Sequence, residues 1–395
     1  FFGIFQGDFS NVVNFKTKSI MATKKDKEDP KSYPDMALAE LYHQAGGSEE
    51  VKAKVVELQA TKLWALWGGA WGKVPADIVK AVEEEEKTLK AALETAREEE
   101  GETDILDAYF ALASFYSKIG DKDTAVTTFD EILKLGKLSS QKKLEALMGK
   151  VRIMSFFNVS PTKVLEEAHT VAEAGGDWDK RNRLKVYKGI DCIVGRDFET
   201  AAKLLASCVK TFSCEEYISF DGFCLLTVIL NTLNMTRVDL KKDIIDGPEI
   251  RGALREGGGK LAREVCEALH SCEYATYFKA VVALEPVLES SRYLSQHKSF
   301  IVREMVVKGY QQFLQSYKSV KLSSMAQAFG VTESFLDAHL CRFINAGRLM
   351  AKIDSVEGQV ETTVADKKNQ QYRAIIEDGD KVLNRVQRLS RVVDV

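Results

Sequence analysis

The glycine-rich segment REGGGKL, residues 255–261 of this 395-residue chain, superficially resembles a phosphate-binding loop. Such a loop needs a glycine five residues before the glycine that precedes its lysine, and a serine or threonine directly after the lysine. Leu254 stands at the first of these positions and Leu261 at the second. The segment is therefore predicted to be a flexible interhelical loop without a nucleotide site.

Three potential metal ligands lie close together in the sequence, at Cys266, His270 and Cys272. A structural zinc site needs four ligands, and no second Cys or His pair completes the set, so these residues are interpreted as parts of a helix. The 5 histidines are too dispersed to suggest a Ser-His-Asp or Cys-His arrangement. The 7 scattered cysteines predict reduced, buried thiols. We expect no enzyme activity, no cofactor and no metal.

Helical periodicity runs from Met36 to Phe300 and predicts a mainly α protein. Residues 107–134 carry small and apolar side chains at tetratricopeptide-like intervals, and residues 186–212 form a weaker copy with Gly189, Ala201 and Leu205 in corresponding places. A third hairpin is expected between them. Because one hairpin cannot bury its apolar face alone, stacking into a solenoid is predicted. The first copy has Tyr109, Leu112, Ala113, Tyr116, Gly120, Ala125, Phe129 and Ile132 at these positions.

Residues 317–363 predict two helices followed by a β-hairpin, which is the order of a winged helix. The first helix is expected to start at Ser323–Ser324 and stop at Gly330; the second begins after a Thr332 cap and stops at Gly347. The second helix offers carboxylates where a DNA reader needs basic groups. The whole chain has a net charge of -3, so the electrostatic drive for nucleic-acid binding is missing and a protein partner is favoured.

The predicted hairpin, strands 350–354 and 359–363, has an edge that another strand could extend. An equally weighted alternative is that this edge is merely short and solvated. The candidate interface residues on it are Met350, Lys352, Ile353, Val360 and Thr362.

A last helix is predicted over residues 370–392, with aliphatic side chains every three or four positions and Arg385, Arg388 and Arg391 on the other face. Little of the chain remains for such a terminal helix to pack on, which favours a second interface. Its candidate residues are Ile375, Val382, Val386, Leu389 and Val393.

The segment DWDKRNRL, residues 177–184, opens a basic helix in which Asp177 or Asp179 is expected to act as the cap. Trp178, Arg181 and Arg183 have two interpretations. They form a solvated face, or the arginines pair with acidic groups on an adjacent repeat or subunit. The sequence does not choose between them.

The predicted domain limits are residues 1–35 for a disordered start, 36–300 for the solenoid, 301–365 for the winged helix and 366–395 for the terminal helix. Met21 is predicted to be the initiator, which leaves residues 1–20 outside the native protein. No apolar run is long enough to span a bilayer.

Residues 175–205, GGDWDKRNRLKVYKGIDCIVGRDFETAAKLL, closely resemble the signature segment of the 26S proteasome non-ATPase regulatory subunit 6 family. YKSVKLSSMAQAFGV and RFINAGRLMAKID are similar to that family's PCI module, and QYRAIIEDGDKVLNRVQRLSRVV is similar to its ending. The resemblance runs from about Met36 to the end and departs mainly in residues 246–294. The DWDKRNRLKVY block is shared with signalosome subunit one, whereas the ending favours the lid subunit.

The resemblance implies a TPR-like solenoid, a PCI-type winged helix and a long C-terminal helix in a non-catalytic scaffold of the 19S regulatory particle lid. Its partners would be other PCI subunits, the lid deubiquitinase pair and the ATPase ring, with no nucleic acid or membrane. Winged helices would pair edge to edge, and the terminal helix would join a bundle of such helices. The protein would be cytoplasmic and nuclear. The alternative is a signalosome scaffold that supports cullin deneddylation.

Overall fold

A computed structural model of the chain describes residues 33–45, 76–98, 101–135, 138–175, 177–255, 257–362 and 367–393. The predictions about residues 1–32, including the initiator, and the part of the predicted helical region at residues 46–75 lie outside this part. The described residues form two compact units. The first contains those up to His270 together with 282–301, and the second contains 271–281 together with the residues from 302 onwards.

The first unit is built of helices, as the periodicity predicts. They are α1 (Met36–Ala45), α2 (Ala76–Glu98), α3 (Glu102–Ile119), α4 (Lys122–Lys134), α5 (Ser140–Phe156), α6 (Thr162–Gly175), α7 (Trp178–Val194), α8 (Phe198–Cys208), α9 (Phe220–Asn234), α10 (Pro248–Ala253) and α11 (Gly257–Ser271). Short 3₁₀ helices lie at Val209–Thr211 and Ser295–His297, and a single α-helical turn at Arg237–Asp239 leads into a π-helical segment at Leu240–Ile245. Two longer helices, α12 (Tyr274–Ser290) and α13 (Lys298–Leu314), contain residues of both units.

The predicted hairpin at residues 107–134 is confirmed as α3 and α4, which pack against each other. Gly120 ends α3 at φ +84°, a left-handed conformation that favours glycine. Asp121 then caps α4 by accepting a hydrogen bond from the Thr124 amide at 3.4 Å. Ala113 and Ala125 are fully buried, so the two helices approach closely where the small residues meet.

The weaker repeat copy is confirmed as α7 and α8, and Gly189 of α7 packs closely against α8. A Cβ atom added there would lie 2.8 Å from Leu205 Cδ2 and 3.2 Å from its Cγ. Leu205 is itself completely buried and has little room to move. The glycine is therefore required by helix packing, not by a turn.

Replacing Gly189 by alanine is expected to destabilise the chain by about 1–2 kcal/mol net, because overpacking in a dense core outweighs the gain in helix propensity. Gly252, in α10, is the matched control, because an added Cβ there meets nothing within 4 Å. Gly252→Ala should leave the thermal transition unchanged or raise it slightly. Equal transition temperatures for the two variants, measured by differential scanning calorimetry, would contradict the packing argument.

The glycine triplet of the phosphate-loop look-alike does not form a loop, and that expectation is wrong. Gly257 begins α11, and Cβ atoms added at Gly258 and Gly259 would lie 2.7 Å from Val287 Cγ1 and Leu254 Cδ2. The absence of side chains lets this helix start pack closely on its neighbours. From the sequence, the three glycines were interpreted as a flexible loop, whereas in the structure they allow close packing between helices.

The second unit contains the helix–turn–helix as α14 (Leu322–Phe329) and α15 (Glu333–Asn345). Gly330 ends α14 at φ +65°, as predicted, and α15 ends at Asn345, two residues before the predicted stop at Gly347. Thr332 is the residue before α15, but its side chain forms no cap hydrogen bond. Leu336, Leu340 and Phe343 are buried, whereas Phe335 is only half-buried. Tyr274 and Phe278 pack on Phe329, so residues before 301 join this core.

The winged-helix sheet has three strands, not the predicted two: β1 (Ser319–Lys321), β2 (Ala351–Asp354) and β3 (Gln359–Thr362). The strand order is β1-β3-β2, and β3 is antiparallel to both neighbours. β3 is therefore the central strand, and placing Val360 and Thr362 on a free edge was wrong. Val360 is fully buried, and the Thr362 amide donates to the Lys318 carbonyl at 2.9 Å.

Candidate assembly surfaces

The terminal helix α16 (Lys367–Val393) is longer than predicted and has no buried side chain among those described, from Gln371 to Val392. Its large apolar residues remain 56% to 74% exposed. Val393 is the last helical residue. The structure adds side chains that sequence reasoning left out, since only one residue in each turn was counted. The exposed apolar set is Tyr372, Ile375, Ile376, Val382, Leu383, Val386, Leu389 and Val392.

These residues lie along one side of the helix, because they recur at spacings of three and four except at Gly379, which takes the place of one large side chain. A soluble domain rarely exposes so many contiguous aliphatic side chains, and such a patch marks an interaction site. We call this surface the α16 stripe. It is the largest feature of the described residues that their own packing leaves unexplained.

The free edge of the wing is β2, which pairs with β3 on one side only. Met350 precedes this strand and is 69% exposed, Lys352 is exposed, and Ile353 is half-buried against the core. Of the five candidate edge residues, these three lie in or beside a strand that could accept another. β1 is the second free edge, but it is only three residues long.

The block at the start of α7 is largely used inside the chain. Arg181 Nε donates to the Ala172 carbonyl at 3.0 Å, which satisfies a carbonyl near the end of α6. Arg183 pairs with Asp179 at 2.9 Å and with Glu216 at 3.3 Å. The arginines therefore join neighbouring segments of one chain. Asp177 precedes α7 without making a side-chain cap, and Asp179 instead accepts from Ser213 at 2.6 Å.

Trp178 behaves differently from its neighbours, because 64% of it remains exposed. Arg181 is exposed as well, but its side chain already donates to the Ala172 carbonyl within the chain. A role in binding another subunit stays a prediction for Trp178.

A buried polar cluster that sequence reasoning did not find lies behind this block. Glu216 accepts from the Tyr187 hydroxyl at 2.9 Å and contacts Arg152 Nη1 at 3.2 Å and Arg183 Nη1 at 3.3 Å. Arg152 and Glu216 retain only 13% and 15% side-chain exposure. Burial raises the pKa of Tyr187 and that of the nearby Cys214 thiol, so both stay protonated at neutral pH. The cluster links α5, α7 and the segment before α9 through hydrogen bonds and ion pairs.

A groove of about 670 Å³ lies between α4, α5 and the start of α6. Val126, Met154 and Val159 line it together with three lysines, and neither histidine nor cysteine is among its lining residues. Within the ranges described above, no three His, Cys, Asp or Glu residues are grouped so that they could hold a metal ion.

Cys266 and His270 belong to α11, as interpreted from the sequence, whereas Cys272 follows the helix at φ +63°. All seven cysteines are free thiols. Of the helices that the structure describes, none is both long and apolar enough to cross a membrane.

Stacked helical hairpins, a winged helix with a three-stranded sheet and an exposed terminal helix define a helical-repeat protein that carries a PCI domain, and the PCI domain family model matches residues 277–363. Two further family models match, "26S proteasome subunit RPN7" over residues 73–243 and "26S proteasome regulatory subunit RPN7/PSMD6 C-terminal helix" over residues 371–393.

Curated relatives agree with these matches. The chain is 36% identical to 26S proteasome non-ATPase regulatory subunit 6 of Dictyostelium discoideum, over 93% of this chain and 100% of the relative. It is 35% identical to 26S proteasome regulatory subunit RPN7 of Saccharomyces cerevisiae, over 80% of this chain and 75% of the relative. COP9 signalosome complex subunit 1 of Arabidopsis thaliana is more distant, at 25% identity over 50% of this chain and 42% of the relative. The chain belongs to the RPN7/PSMD6 family of proteasome lid subunits.

Proposed function

We propose that this chain is a non-catalytic scaffold of the 19S regulatory particle lid, acting in ATP-dependent degradation of ubiquitinated proteins. The observation that carries the proposal is the α16 stripe, which is exposed along the whole described helix in a family defined by assembly into a larger particle. Burying such a stripe against other helices removes a large apolar area from water. The partners would be other PCI subunits, with the deubiquitinase pair and the ATPase ring in the same particle.

The burial of the Arg152–Glu216 ion pair supports a structural role, because these two side chains retain only 13% and 15% exposure and offer little access to a substrate. A particle of this kind works in the cytoplasm and the nucleus, which we propose as the location. We also propose that neither nucleic acid nor a membrane is a partner. The exposed face of α15 begins with Glu333 and lacks a basic stripe.

Purification of the tagged chain from its native cells tests this proposal. Co-purification of proteasomal ATPases is expected. Co-purification of cullins in their place would support the signalosome alternative, which the weaker match to COP9 signalosome complex subunit 1 keeps as the second candidate. Recovery of the chain with neither group would contradict both.

The β2 edge is proposed as the second interface, with Met350, Lys352 and Ile353 in or beside the strand that a neighbouring winged helix would extend. Met350→Asp is expected to weaken co-purification of lid subunits several-fold, because a carboxylate replaces an exposed apolar side chain beside the edge. Val356→Asp is the matched control. It puts the same charge in the β2–β3 turn, where the side chain is 95% exposed, and should have no effect. Equal losses in quantitative mass spectrometry of the two pull-downs would refute the edge contact.

A further inference from the structure

The α16 stripe follows a seven-residue repeat of the kind that pairs helices into coiled coils. Its spacings alternate between three and four from Tyr372 to Leu389. Gly379 interrupts the series of large side chains, and a Cβ atom added there would meet nothing within 4 Å. The inner positions of the repeat are Tyr372, Gly379 and Val386 in one row and Ile375, Val382 and Leu389 in the other.

Two antiparallel copies of α16 match each other in one register. In antiparallel pairs, residues of the first row face residues of the second row. When Gly379 faces Val382 of the second copy, Ile375 faces Val386, and Tyr372 faces Leu389. The arrangement has twofold symmetry, so each of these three contacts occurs twice and the interface has six layers of facing residues. In two of these layers the small Gly379 is covered by Val382. All six of these inner residues are exposed in the free chain.

The residues beside the inner positions are also complementary in this register. Asp378 lies beside Arg385 of the second copy, and the reciprocal pair forms on the other half. On the opposite flank, Ile376 lies beside Leu383, which extends the apolar contact. Shape, charge and the width of the stripe therefore select one arrangement.

Competing arrangements fit less well. A parallel pair in register places Gly379 against Gly379, which leaves a void, and it sets Asp378 beside the aliphatic Leu383. The antiparallel register shifted by one heptad places Arg385 against its own copy, where like charges repel. Of the three arrangements compared, the register centred between Gly379 and Val382 is the one that avoids these faults.

We propose that the free chain forms an antiparallel homodimer through residues 372–389 of α16. This dimer covers the stripe of a subunit that has no other partner bound. It does not depend on the proposed role in the lid, although both would use the same surface, so that binding to other subunits must displace the second copy.

Sedimentation equilibrium of the purified full chain tests the homodimer. The average mass is expected to rise with concentration from that of one 44.1 kDa chain towards twice that value. Asp378→Arg alone and Arg385→Asp alone should each weaken dimerisation at least about tenfold, because two attractive pairs become two repulsive ones. An equimolar mixture of these two variants should regain the dimer, since both interchain pairs are then complementary.

Arg388→Asp is the matched control, because it makes the same charge change on the outward face of the helix and should leave the dimer unchanged. The proposal is overturned if the chain stays monomeric at all concentrations, if the mixture of variants does not restore association, or if Arg388→Asp weakens it as much as Arg385→Asp. Because only the purified chain is present, failure of the lid proposal cannot produce or hide these results.

Discussion

The double substitution Val386→Asp and Leu389→Asp is expected to abolish incorporation of the chain into the proteasome lid while leaving its thermal unfolding nearly unchanged. The two wild-type side chains are more than half exposed in the free chain, so replacing them removes no intrachain packing. In an assembled bundle they would each contribute roughly 1.5–3 kcal/mol by burial, and each new carboxylate would have to be desolvated as well. The combined loss exceeds three powers of ten in affinity, at about 1.4 kcal/mol for each.

Asn384→Asp and Gln387→Asp provide the control on the same helix. Both residues are exposed and lie off the stripe, so this variant adds the same negative charge to the same element. Incorporation is measured by native gel electrophoresis of the particle and by mass spectrometry of the purified complex. Calorimetry is run at a concentration where the chain is monomeric. Normal incorporation of the stripe variant, or loss of incorporation in the control as well, would refute the role of the α16 stripe.

The repeat architecture was predictable because it depends on local signals. Ala113 and Ala125 mark a close helix approach, and Gly120 supplies a left-handed turn, all within one short segment. The glycine triplet at 257–259 was misread for the opposite reason. Its contacts with Leu254 and Val287 depend on where other helices lie, and no local pattern reveals that.

The third strand of the sheet was missed for a similar reason, because its pairing also depends on residues far apart in the sequence. β1 has only three residues, too few for alternation to be recognised, and its partner β3 begins 40 positions after it in sequence. Without β1, β3 looked like an edge strand, and two buried or paired residues were assigned to an interface. The α16 stripe, in contrast, could be predicted from sequence because helical periodicity alone defines it.

The buried cluster around Glu216 could not be predicted, since its members are spread over α5, α7 and the segment before α9. The arginines of α7 gave no sign of their partners, because Glu216 lies 33 residues after Arg183. A basic helix start is typical of a solvated surface, and most charges there contribute little. In this protein, tertiary packing brings the arginines to the buried Glu216, and we expect their ion pairs to affect the free energy of unfolding strongly.

Glu216→Ala is expected to destabilise the chain by about 3–5 kcal/mol, because it leaves the buried guanidinium of Arg152 without its counter-charge and removes the acceptor of the Tyr187 hydroxyl. Both members of the ion pair are largely shielded from solvent, so screening reduces the effect little. The loss is measured from the midpoint and slope of urea denaturation followed by circular dichroism.

Two further variants distinguish the loss of a buried ion pair from the general effect of replacing a glutamate. Glu199→Ala removes an ion pair with Lys203 that is 70% and 72% exposed, and it should cost less than about 1 kcal/mol. The double variant Arg152→Met, Glu216→Leu should regain most of the lost stability, because no uncompensated charge is then buried. Removing one charge is thus more harmful than removing both. If the double variant is less stable than Glu216→Ala, the cluster stabilises the fold through net attraction, and the account of an uncompensated charge is wrong.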